Sequence, residues 1–218
     1  MIITIDGPAA AGKGTLSSKL AQKYNLAYFD TGMIYRAVGL DLILKNIDPE
    51  NDEKALISAQ NMTFSKMMEL SKHGDFRSNL GGQAASKVAA KTAVRQALLK
   101  MQQDFALKPQ FVDGSKAKGV VYDGRDTGTV VCPNADVKIF ITASPEVRAM
   151  RRYKEFIEKG LDSNYEEVLA QTKERDLRDS SRASAPLKPA DDAIIIDTSD
   201  LAIEDVFNKV CMIIDSKK

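Results

Sequence analysis

Gly7, Gly12, Lys13, Gly14 and Thr15 stand in the order G-x-x-x-x-G-K-G-T, within the stretch GPAAAGKGT. Glycines at such places allow positive φ and let successive backbone N–H groups turn toward an anion. A helix starting at the lysine adds the positive end of its dipole. Lys13 contributes a point charge on a flexible stem. The chemistry implied is a grip on the phosphates of a nucleoside triphosphate by Gly7, Pro8, Ala9, Ala10, Ala11, Gly12, Lys13, Gly14 and Thr15. Gly14 departs from the usual pattern, in which a Ser or Thr there touches magnesium; here the hydroxyl comes one residue later, at Thr15.

A second set of residues carries positive charge: Arg36, Arg125, Arg148, Arg152, Arg175, Arg178 and Arg182. Phosphoryl transfer asks a protein to position two substrates and neutralise the moving group, without a covalent nucleophile. The guanidinium fork matches phosphate oxygens. Lys13, Arg125, Arg178 and Arg182 are therefore expected to serve catalysis. The spacing of Arg175, Arg178 and Arg182 suits equally a solvated helix stripe braced by Glu174 and Arg178.

Composition narrows the alternatives. His73 is the only histidine, which argues against His-based nucleophile triads and His-ligated metals. Cys132 and Cys211 form no C-x-x-C pattern, so no metal or redox pair is expected. The 31 basic and 30 acidic residues leave a net charge of +1, which gives no general attraction to nucleic acid or an anionic membrane. No apolar run approaches the ~18 residues of a membrane span. Met1 runs straight into a strand-like segment, leaving no room for a signal peptide. A cytoplasmic, reduced setting is the expectation.

The elements that must position these residues follow from periodicity. Strands are expected over 2–5, 26–29, 120–122, 137–142 and 194–196, each a short β-branched or aromatic run. Helices are expected over 13–24, 32–46 and 54–61, over 83–107 as one long Ala-rich element, from Pro145 to Gly160, and over 201–215. A capping box at Ser163 and Glu166 should start a further helix bearing Arg175, Arg178 and Arg182. Residues 62–80 show no clean period and read as an irregular insert. Alternating strands and helices imply an α/β fold, a five-stranded parallel sheet covered on both faces, in one domain. The Asp123, Gly124, Arg125, Asp126 cluster would lie at a strand's carboxyl end, where such sheets present ligand groups.

The loop GPAAAGKGT, then DTGMIYR (residues 30–36), AASKVAA with Arg95 beyond it, YDGRDTGTVV (122–131) and KERDLRDSSRASAPL (173–187) together resemble bacterial cytidylate kinases. The resemblance is collinear over nearly the whole chain. It implies a P-loop three-layer fold with a core, an acceptor-binding region at about 31–108 and a lid at about 148–185. The implied reaction moves the γ-phosphate of ATP to CMP or dCMP. Thr31, Tyr35 and Arg36 would form the acceptor side, with Arg36, Arg125 and Arg182 on the monophosphate. Ser86, Arg95 and Asp126 would read the cytosine, and Arg175 and Asp179 would approach the sugar. Mg2+ would be held by phosphate oxygens and water, with no set of protein metal ligands. A monomer is expected.

Two departures accompany the resemblance: Thr31 stands for a serine, and the insert before Ser86 is short for the small antiparallel sheet of the bacterial enzymes. A shikimate-type or other nucleoside monophosphate kinase would share loop and lid without needing Ser86, Arg95 and Asp126 together. A guanine-reading switch would need N-K-x-D, whereas Asn208 and Lys209 are followed by Val210 and Cys211.

Overall fold

The computed structural model describes residues 1–217. Its centre is β1 (Ile2–Asp6), in which Ile3, Thr4 and Ile5 are fully buried, as a strand covered on both faces requires. Around it lie β2 (Ala27–Asp30), β3 (Val120–Gly124), β4 (Val137–Thr142) and β5 (Ile194–Asp197), all parallel in the order β2-β3-β1-β4-β5. The register sets Ile5 beside Asp123, Asp6 beside Gly124 and Asp30 beside Asp123. The carboxyl ends of the three strands therefore finish abreast. That edge is where a parallel sheet presents its ligand groups.

Side-chain alternation along β3 sends Tyr122 to one face and Val121 to the other. The Val121 face is closed by α1 (Lys13–Tyr24) and α9 (Ile203–Asp215), through Leu16, Leu20, Val210 and Ile214. The Tyr122 face packs Phe29 and Phe105 in tilted aromatic pairs with α2 (Gly32–Leu44) and the helices that follow it.

The helix expected over 54–61 is α3 (Asp52–Gln60). Residues 62–80, expected to be irregular, instead contain α4 (Phe64–Leu70) and a single 3-10 turn, Gly74–Arg77. Thr63 caps α4 by accepting from the Lys66 amide, and Met67 and Phe76 are buried anchors. Elements this short hold too few apolar residues to show a period. The only antiparallel pairing outside the strands, among the described residues, is an isolated bridge between Gln110 and Lys116.

The long helix expected over 83–107 is two, α5 (Asn79–Ala89) and α6 (Thr92–Leu107). The break is at Lys91, whose backbone is extended (φ −84, ψ 117) and whose amine reaches the Glu50 carbonyl and the Asp52 carboxylate. No local breaker marks it; packing of α5 on α2 and of α6 on α3 imposes it. After α7 (Pro145–Glu158), helix α8 (Tyr165–Ser181) is capped by Asn164, which accepts from the Glu167 amide, and not by the Ser163 box. Asparagine caps as well as serine does, and Asn164 lies directly before the helix. Arg182 falls just beyond α8, in extended backbone.

Helices α2 and α5 meet at Gly39. A Cβ there would sit 2.8 Å from the Ala84 Cβ and 2.9 Å from the Ala84 carbonyl carbon, so backbone would have to move. Gly39→Val is expected to cost about 2 kcal/mol of stability by overpacking, read as a lowered midpoint in thermal unfolding.

Candidate active site

The loop after β1 is built for close approach. Gly7 (φ 148) has no room for a side chain, since a Cβ would lie 2.0 Å from the Ile141 carbonyl oxygen. Gly12 (φ 90) leads into α1 without a side-chain cap, which leaves the first amides of that helix open to an anion. Lys13 is buried, donates to the Pro8 carbonyl at 2.8 Å and stands 3.9 Å from Asp123. Burial, aided by Arg125, pushes its ammonium down to about 7, and burial pushes the Asp123 carboxyl up to about 6. The space between wants negative charge near Lys13.

A cleft of about 640 Å3 opens in front of this loop. Arg36, Arg95, Arg125, Arg175 and Arg182 all line it, from α2, α6, the end of β3, α8 and the segment beyond α8. Their buried counter-charges are few. Arg95 pairs with Asp126, while Asp179 serves Arg125 at 3.1 Å, Arg182 at 3.7 Å and Arg175 at 4.0 Å. Desolvation, with Arg125 close by, lowers Arg175 to about 9. Arg95 Nε, Arg175 Nε and Arg182 Nη2 are buried with no hydrogen-bond acceptor. Buried donors without partners are costly, so a cleft lined by three of them is shaped for an anionic ligand.

Asp126 is placed by the turn that follows β3. A π-helical turn, Thr127–Val131, begins right after it, and the buried Asp6 carboxylate accepts from the Thr127 amide, the Thr127 hydroxyl and the Gly128 amide at 2.9, 2.9 and 2.7 Å. Sequence periodicity gave no signal for that turn, because its holding partner lies 121 residues away. Tyr35 lies under the Arg95 guanidinium, 5.2 Å from ring centroid to Cζ.

Most expected site residues meet in the cleft: residues 9–15, Thr31, Tyr35, Arg36, Ser86, Arg95, Arg125, Asp126, Arg175, Asp179 and Arg182. Thr31 is there but occupied, its hydroxyl and amide both bonded to the Asp123 carbonyl at 2.9 Å. Gly7 and Pro8 lie behind the cleft wall, shaping the loop and holding Lys13. Arg178 does not line the cleft; it bonds Glu174 and donates to Ser86 Oγ at 2.8 Å. The solvated brace to Glu174 is thus correct for Arg178 alone. Arg148 is also withdrawn from phosphate duty. It is buried, forked onto both oxygens of Asp176 and bonded to the Ala9 and Ala143 carbonyls. Asp123 lines the cleft, as its place at a strand's carboxyl end led one to expect, and Tyr28, Asp30, Arg77 and Glu155 line it without having been singled out as site residues. The same strand-end position could have flagged Asp30.

The family model described as "Cytidylate kinase" matches residues 3–216. A cytidylate kinase of Paramagnetospirillum magneticum is 50% identical over 217 residues, covering 100% of this chain and 99% of that one. One from Xanthobacter autotrophicus is 46% identical over 218 residues, with 100% and 99% coverage. A solved structure of an uncharacterized protein from Eubacterium ventriosum shares the fold, with a TM-score of 0.52 at 15% identity and 99% of each chain covered.

Lys13 gives the site a proton signature. A bound triphosphate stabilises the ammonium and raises its pKa from about 7, so binding near pH 8 takes up a proton that the free lysine largely lacks. Near pH 6 the free lysine is already protonated and this uptake disappears. Calorimetry in buffers of different ionisation heat should show up to about one proton more for the native protein than for Lys13→Met at the higher pH, and no difference at the lower.

Proposed function

This chain belongs to the cytidylate kinase family, and we infer from that membership and the cleft that it moves the γ-phosphate of ATP to CMP or dCMP, yielding ADP and CDP or dCDP. The observation that carries the reading is the convergence of Arg95, Arg175 and Arg182, each with a buried guanidinium N–H that has no partner, on one cleft that begins at the phosphate loop.

ATP lies with its phosphates over residues 9–15 and the N-terminus of α1. A neighbouring cavity of about 450 Å3, sharing Ala10, Ala11, Gly12 and Thr15 with the loop and walled by Leu201, Ile203 and Val206, takes the adenine. Lys13 meets the β- and γ-phosphates. Arg36, Arg125 and Arg182 hold the acceptor monophosphate in line with the γ-phosphate, which substitutes proximity for a covalent nucleophile. Arg175 and Asp179 meet the sugar. Arg178 and Arg148 act at a distance, tying the 148–185 lid to Ser86 and to Ala9. One chain supplies a complete set of these groups, which suits a monomer, and its two buried free thiols suit the cytoplasm.

Mg2+ fits the donor set. Among the described residues no three acids or histidines gather as a metal cage, while Asp30 and Asp123 line the cleft beside Gly14 with burial disfavouring the Asp123 charge. They would hold the ion through water, and Gly14 leaves space where a side chain would press on Asp123 Oδ2 at 3.4 Å. The ion supplies charge neutralisation on the phosphate oxygens.

Ser86, Arg95 and Asp126 read the base. Cytosine offers an amino donor where uracil offers a carbonyl, and a carboxylate accepts from the first and repels the second. Arg95 holds one Asp126 oxygen and aims that carboxylate. A coupled assay of ADP release over a panel of nucleoside monophosphates should show CMP and dCMP far ahead of UMP. Asp126→Asn, which keeps the shape and offers a donor to uracil, should shrink the CMP-to-UMP preference by roughly 1–3 kcal/mol. Parallel weakening of both acceptors would show that Asp126 only braces Arg95.

A further inference from the structure

Arg77 closes the 3-10 turn of the insert and lines the cleft, well apart in sequence from every residue assigned above. Its backbone is pinned from two sides. Phe76 is fully buried and its carbonyl accepts from Arg36 Nη1 at 2.9 Å. On the other side the first turn of α5 presses close: Ser78 Oγ donates to the Asp75 carbonyl at 2.8 Å and accepts from the Gly81 amide at 3.2 Å. A Cβ on Gly81 would come within 2.4 Å of the Asp75 carbonyl oxygen, so the approach depends on glycine. The same short segment thus orients Arg36 by its backbone and delivers a second guanidinium next to it.

Arg77 lines the cleft together with Arg36, Tyr28 and Asp30. Tyr28 bonds Asp123 at 3.3 Å, and Asp123 stands 3.9 Å from Lys13, so that wall of the cleft adjoins the phosphate loop. Unlike Arg95, Arg125 and Arg182, Arg77 has no acidic partner among the described residues. Arg77 is exposed and lines the same cleft as Arg36, so its guanidinium can turn to a phosphate dianion there without first giving up an ion pair.

We propose that Arg77 is a further binding residue for the acceptor nucleotide, contacting its monophosphate beside Arg36. The inference rests on the kinase reading above. The helical insert then has a function in the site: it carries one phosphate ligand on its turn and positions another through the Phe76 carbonyl.

The test uses Arg77→Gln and Arg77→Lys in the full-length enzyme, with CMP and ATP varied in turn and thermal unfolding of each free variant recorded. Arg77→Gln should raise KM for CMP on the order of tenfold, the scale of one charge-assisted bond to a phosphate. KM for ATP and the unfolding midpoint should stay as in the native enzyme, and Arg77→Lys should recover most of the loss. An unchanged KM for CMP, an equal rise for both nucleotides as general electrostatic steering would give, or a lowered midpoint accompanying the loss would each overturn the assignment while leaving the kinase reading intact. A native enzyme that turns over no CMP would overturn both.

Discussion

Too many positive charges for the carboxylates that face them is the condition under which this site exists. Asp179 alone is shared among Arg125, Arg175 and Arg182, and Asp126 is engaged by Arg95. Each carboxylate removes enough repulsion for the guanidinium groups to be buried together, yet leaves N–H donors on Arg95, Arg175 and Arg182 without acceptors. The proposed function makes up that deficit with anionic nucleotides. Binding and charge neutralisation therefore have one origin, and the protein holds its donors in place before the reaction instead of reorganising during it.

Such a cluster needs a rigid frame, which the sheet register provides. Because β1, β2 and β3 end abreast, Asp6, Asp30 and Asp123 share one edge, and the phosphate loop leaves that edge beside the turn carrying Arg125 and Asp126. Asp6 joins the two. It is the last residue before the loop, and its carboxylate holds the amides of Thr127 and Gly128. Burial raises its pKa while those bonds lower it, so the bonds are what make a charge tolerable there. The phosphate loop and the turn that carries Asp126 are thereby tied to one carboxylate.

The segment α7–α8 is integrated in the same way. Arg148 ties α7 to α8 through Asp176 and reaches the Ala9 carbonyl, while Arg125 in the core meets Asp179 on α8. Movement of α8 therefore moves Asp179, and with it the counter-charge of the arginines. Arg148 shows the limit of counting cations: a helical arginine one turn before Arg151 and Arg152 has the composition of a phosphate ligand, and burial makes it a brace.

What the chain settles by itself is whatever depends on local order and spacing. The phosphate loop follows from glycines at set intervals and a lysine at a helix start, and five short β-branched runs between helices specify the parallel sheet; both are near-neighbour effects. Collinear motifs likewise marked Ser86, Arg95, Asp126 and Asp179, although nothing local brings them together. Tertiary structure decided the rest, because it involves pairs far apart in sequence competing for the same groups. Lys91 breaks an Ala-rich helix that has no local reason to break, since α5 and α6 find different partners. Arg178 and Arg148 are drawn to Ser86 and Asp176, whereas Arg175 and Arg182 keep free donors. The short helices of the insert lack enough apolar residues to declare themselves, so Arg77 becomes visible as a cleft residue only once Phe76 is buried and Gly81 has let the turn close.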